Sequence, residues 1–162
     1  MAIAILAWLV AIPLMGLVTG LRTMTPMAVL CWFAFLGYLP VHDTWASWAA
    51  RLVAVWIFTA LALGEYVADK LPRTPDRITA GPLVARLVFG GLIGAIMAAA
   101  LKGPAVEGII LGFSGTLIGA FGGYLVRREL VQRLECKDWQ VAVVEDLLAI
   151  GSAVFAMGVV TG

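Results

Sequence analysis

Long runs of apolar residues dominate the chain, and several approach or exceed the roughly 18 residues that read as a membrane-spanning helix. Their Gly, Ala, Leu and Val content is helical, without the period-two alternation of an outer-membrane barrel. The expected fold is therefore all-α, a polytopic integral membrane helix bundle forming a single domain over residues 1–162. Composition agrees, since 62% of the residues are hydrophobic and 13% charged, which is not the balance of a soluble domain. A formal net charge of +1 offers no global field to recruit nucleic acid, so no nucleic-acid partner is expected.

Turn and breaker residues divide the chain into about six transmembrane helices. The first is expected over residues 2–21, kinked at Pro13, whose missing N–H leaves the carbonyl of Leu9 without its donor. Thr25 as N-cap and Pro26 as first helical residue predict a second helix running to Tyr38 or Pro40. At 1.5 Å per residue that segment covers only about 22 Å, so the alternative is five full spans plus one short re-entrant helix. Trp45 and Trp48 mark an interface beside His42 and Asp43, and a third helix is expected from there to Lys70. Pro72, Pro75 and Pro82 make residues 71–82 a surface loop. Helices four and five are expected over residues 83–101 and 105–126. Residues 127–137 are mixed in charge and read as a solvated amphipathic face, and helix six starts at an Asp138 N-cap with Trp139 at the interface. The N-terminus lacks the basic leader of a signal peptide and reads as a retained span.

One histidine and two cysteines, Cys31 and Cys136, cannot assemble a zinc, haem or iron–sulfur site, so no metal and no cofactor is expected. Neither a phosphate-binding glycine loop nor a nucleophile elbow is present. Lys70, Arg73, Arg77 and Arg86 surround the third connection, and Arg127, Arg128, Arg133 and Lys137 the fifth. These are eight of the 11 basic residues, so positive-inside logic makes that side cytoplasmic and, with six spans, puts both termini outside.

Small residues recur every three or four positions. Gly90, Gly94 and Ala98 share a face of helix four, while Gly108, Gly112, Gly115, Gly119 and Gly123 line helix five. Gly16 and Gly20, with Thr19 and Thr23, extend the pattern to helix one. Such faces let backbones approach closely in lipid, where apolar side chains gain little from leaving acyl chains. A backbone-lined pathway is the functional alternative.

Charges inside apolar segments are costly, roughly 2.5–3.5 kcal/mol for Asp, Arg or Lys at a helix centre. Glu65 and Asp69 share a face of helix three, and Glu145 with Asp146 lies near the start of helix six, about 10 Å beyond Asp138. With Arg22 and Arg86 they are the candidate ion-binding residues, all toward the cytoplasmic side. Four carboxyls against two guanidiniums favour a proton or small cation over an anion. The structural reading has Arg22 and Arg86 pairing with two acids to lock the bundle, and Asp69 joining Arg73. Glu107 reads as an acid on a helix dipole, and His42 as an interfacial loop residue.

The run Gly16-Leu17-Val18-Thr19-Gly20-Leu21-Arg22-Thr23-Met24-Thr25-Pro26, followed by Glu65-Tyr66-Val67-Ala68-Asp69-Lys70-Leu71-Pro72 and by Glu145-Asp146, resembles a family of small bacterial membrane proteins, domain of unknown function 4126. The similarity extends from the first helix to Glu145. It implies a multi-pass protein of the bacterial cytoplasmic membrane and transfers no activity. The leading expectation is a small transporter or channel-like protein for protons or small cations, with lipid as its surroundings and copies of the chain enclosing a pathway. A scaffold or assembly factor whose buried charges are structural is the alternative. A membrane enzyme ranks third, because no nucleophile or metal constellation accompanies the acids.

Overall fold

A computed structural model describes residues 7–69, 79–134 and 138–162. Lys70, Arg73, Arg77, Cys136 and Lys137 lie outside the described residues, as do the side chains of Arg133 and Asp138. Among the described residues, all regular structure is helical: α1 (Ile12–Leu21), α2 (Met24–Phe35), α3 (Leu52–Ala68), α4 (Ala80–Ala100), α5 (Ala105–Leu134) and α6 (Asp138–Thr161). Three stretches are long and apolar enough to cross a bilayer unaided, Ala80–Ala100, Ala105–Leu130 and Gln140–Thr161, while α1, α2 and α3 are shorter. The polytopic helical bundle is thus a membrane protein in contact with lipid.

Local chemistry moves several boundaries from their expected places. A π-helical turn over Ala7–Ala11 leads into α1 and leaves Pro13 in the first turn of that helix. Helix α2 starts at Met24 instead of Pro26, and Thr23, in helical geometry, makes no side-chain cap. It also ends earlier, at Phe35. Gly37 adopts φ 80°, Tyr38 N–H donates to Phe33 O (2.9 Å) and Gly37 N–H to Ala34 O (3.1 Å), the bond pair that closes a helix C-terminus. Between α2 and α3 the chain runs as irregular backbone and a 3₁₀ turn at Ser47–Ala50, with extended Arg51 delaying α3 to Leu52. That connection buries Leu39, Val41, Ala46 and Ala49 and exposes Tyr38, His42, Asp43 and Trp45. Helix α4 takes in Pro82 within its first turn, and α5 runs on through Arg127 to Leu134, so the expected amphipathic face is a continuation of helix five.

Contacts between helices give their directions. Thr25 meets Tyr66 and Trp32 meets Thr59, so α2 and α3 are antiparallel. Gly94 opposes Gly108 while Gly90 opposes Gly112, which makes α4 and α5 antiparallel, whereas α1 runs parallel to α5, with Gly16 at Gly112 and Gly20 at Ala120. At these crossings a Cβ would strike backbone: Gly16 faces the carbonyl of Gly112, Gly94 that of Gly108, Gly112 that of Gly90, Gly115 that of Pro13 and Gly119 that of Leu17. Gly20 would strike Thr116 O and Ala120 N, Gly90 would strike Thr116 Oγ1, and Gly108 faces Gly94 and Ala98. Gly123 instead lines a cleft between α5 and α6. Helix α4 is the most enclosed long span, with 56% of its most apolar window buried, against 28% for α5 and α6. The apolar core joins Ile12, Met15 and Val18 of α1 to Met27 and Leu30 of α2, Ile93 and Ile96 of α4 and Ala149 and Ala153 of α6.

Candidate functional site

Between α1 and α2 the backbone is interrupted at Arg22, which is extended (φ −139°, ψ 112°) with its N–H on Val18 O at 2.7 Å. Each helix end exposed by this interruption meets a charge of complementary sign. Arg86 of α4, itself buried, donates from Nη1 to Gly20 O (2.7 Å) at the carbonyl end of α1. At the amide end of α2 the Glu65 carboxylate accepts from Thr23 N–H through Oε1 and from Met24 N–H through Oε2, both at 2.8 Å. Two donors on one ionised acceptor at a helix N-terminus is a strong cap, and it explains why neither Thr23 nor Thr25 caps the helix. The Thr25 hydroxyl instead hydrogen-bonds the Tyr66 hydroxyl (2.7 Å).

The interruption points Arg22 into the bundle, where it is the largest fully buried side chain among the described residues. Its Nη1 lies 2.8 Å from Asp69 Oδ2 and its Nη2 lies 2.6 Å from Asp146 Oδ1, with Glu145 Oε2 farther off at 3.9 Å. The Tyr66 ring centroid stands 5.8 Å from its Cζ, within cation–π range. Arg127 of α5 closes the group: its Nη1 lies 3.0 Å from Asp69 Oδ2 and 3.7 Å from Glu145 Oε2. Asp69 is thereby shared by two guanidiniums. Helices α3, α5 and α6 and the α1–α2 interruption all supply charge to one volume.

Of the candidate residues, Arg22, Asp69, Glu145 and Asp146 come together. Glu65 lies on the same helix as Asp69, one turn earlier, and among the described residues bonds backbone N–H groups instead of a guanidinium. Arg86 approaches from the other side of the interruption. Asp69 turns to Arg22 and Arg127; its expected partner Arg73 lies outside the described residues. Arg127 is the member that sequence reasoning missed, because it opens a mixed-charge run. A usable signal exists: Gly115, Gly119, Gly123 and Arg127 recur every four residues, so one helical face carries them all into the bundle. Counting Arg127, three guanidiniums face four carboxylates, one negative charge in excess where the earlier count had two. Among the described residues no group of three or more His, Cys, Asp or Glu is arranged to hold a metal. Glu107 is exposed in the first turn of α5, and His42 is exposed in the α2–α3 connection.

The protein-family comparison finds a match over residues 9–159 to the family described as Domain of unknown function (DUF4126). No curated protein and no solved structure matches the chain. The match spans both the Arg22 interruption and the acids of α6, nearly the whole sequence, and the chain therefore belongs to this family.

Proposed function

We propose that the protein is a small transporter or channel-like protein for protons or small cations in the bacterial cytoplasmic membrane, working through the charge network around Arg22. The observation that carries this reading is the convergence of Asp69, Glu145 and Asp146, from two helices, on Arg22 and Arg127. Intramembrane charge is costly enough that a function is its default interpretation. A proton or cation arriving at Glu145 competes with Arg127 and Arg22 for the same carboxylate, which couples occupancy to the packing of α5 against α6. The network lies at the end of the bundle where α3 ends and α4 begins, beside the basic connections, so positive-inside logic makes it the cytoplasmic end with both termini outside. Copies of the chain associating through the exposed faces of α5 and α6 complete an enclosed pathway.

Purified protein reconstituted in vesicles carrying an internal pH dye, under defined proton, sodium and potassium gradients, tests this. Wild type is expected to conduct above empty vesicles, and Glu145→Gln, which mimics the protonated acid, to fold normally while losing at least tenfold of the flux. Absence of wild-type flux for all three ions refutes it.

The second reading is a scaffold whose charges specify helix arrangement. Full burial of Arg22 and its close pairs to Asp69 and Asp146 favour it. It expects Glu145→Gln and Asp69→Asn to be strongly destabilised, since breaking a buried pair costs about 3–5 kcal/mol.

A further inference from the structure

Helices α5 and α6 diverge enough to leave a cleft of about 320 Å³ on the side of the bundle. Leu17 and Leu21 of α1 form its floor, Ile118 and Val126 one wall, and Val144 and Leu148 the other. Gly122 lines it, and a Cβ there would meet nothing within 4 Å, so a larger side chain at this position enters the cleft. Among the described residues, two charged side chains line it, Arg127 and Glu145, one from each helix.

Depth decides what such a cleft accommodates. From Ala105 to Arg127 the helix rises about 33 Å, close to the roughly 30 Å of a hydrocarbon core, so the charged pair lies near one end of the spans, within reach of a headgroup. From Ile118 to Arg127 it rises about 13 Å, so the apolar part lies at acyl-chain depth. Over that length the lining is apolar on both walls, through Ile118 and Val126 on one and Val144 and Leu148 on the other, as an acyl chain requires. A cation and an anion side by side complement a headgroup carrying both charges, and suit a purely anionic headgroup less well.

We propose that this cleft binds one phospholipid whose headgroup carries a phosphate and a primary ammonium: an acyl chain lies along Leu17 and Ile118, the phosphate meets Arg127 and the ammonium meets Glu145. This goes beyond the transport reading and does not rest on it, because lipid retention is measured without any ion gradient.

The test is native mass spectrometry of the full chain in mild detergent with added phosphatidylethanolamine, phosphatidylglycerol or a free fatty acid, alongside melting temperatures. Wild type is expected to retain one phosphatidylethanolamine at least tenfold better than phosphatidylglycerol or fatty acid. Gly122→Leu, which fills the cleft, is expected to lose that retention at least tenfold with unchanged helix content. Glu145→Gln is expected to erase the preference between the two phospholipids. Wild-type retention by Gly122→Leu overturns the proposal. So does equal binding of both phospholipids by wild type, which reduces the site to an anion contact at Arg127, and so does a lipid-free dimer that Gly122→Leu dissociates.

Discussion

The Glu65 carboxylate reaches from α3 to the first amides of α2, and this single residue does what a local serine or threonine does in most helices. Its value comes from two charge-assisted hydrogen bonds and from a negative charge on the positive end of a helix dipole. Glu65→Ala is therefore expected to cost about 1–2 kcal/mol in denaturant titration of the detergent-solubilised protein, with Glu65→Gln intermediate because an amide oxygen serves only one of the two donors. A neutral Glu65→Ala would show that water or another side chain caps α2 equally well. This role was illegible in the sequence: a carboxyl four residues before Asp69 reads as half of a pair on one face, and only the fold separates the two. Asp69 goes to the arginines and Glu65 to backbone, because the interruption at Arg22 presents amides and guanidinium to neighbouring turns of α3.

At the scale of elements, α1 and α2 are short helices stabilised by their ends, with Arg86 on the carbonyls of α1 and Glu65 on the amides of α2. Packing of α1 and α4 on α5 rests on glycine. Backbone carbonyls of one helix lie where the Cβ of the other would be, and the single hydroxyl proton of Thr116 is shared between Gly112 O of its own helix (2.8 Å) and Gly16 O across the junction (3.1 Å). Overpacking such contacts costs about 1–3 kcal/mol even for small additions. Gly94→Leu and Gly119→Leu are each expected to lower the melting temperature in detergent by several degrees or to prevent folding, while Gly151→Leu, whose Cβ meets open space, leaves it unchanged. Equal melting temperatures for all three would refute the close-packing account. The small-residue spacing was visible in the sequence. Which partner each face meets was not, since Gly16, Gly90 and Gly108 present the same local signal to any neighbour.

For the whole molecule, the antiparallel course of successive helices gives a definite topology. With Cys31 and Cys136 replaced by alanine, cysteines at Asp43 and Lys102 are expected to label from one side of intact cells and a cysteine at Arg128 from the other. Under the proposed orientation, with the basic connections inside, the Arg128 side is expected to be the cytoplasmic one. An N-terminal reporter inside the cell would show instead that the bundle has the opposite orientation, because α1 runs parallel to α5 and starts at the end where Gly103 meets Trp8. Membrane residence, helical class and the approximate segmentation followed from the sequence itself, because burying backbone polar groups in hydrocarbon leaves helices as the only use for apolar runs of this length and composition. The small-residue faces and the presence of costly intramembrane charge were equally local properties of the chain. Tertiary structure decided the rest: where α2 starts, since the Glu65 cap reaches it from α3, and which charges meet. Arg127 looked solvated from its neighbours in sequence and became part of the network only because close packing of α1 on the glycine face of α5 holds that helix against Arg22 and Asp69. A charge takes its meaning from the groups within a few ångströms, and those are chosen by the packing of helices far apart in the chain.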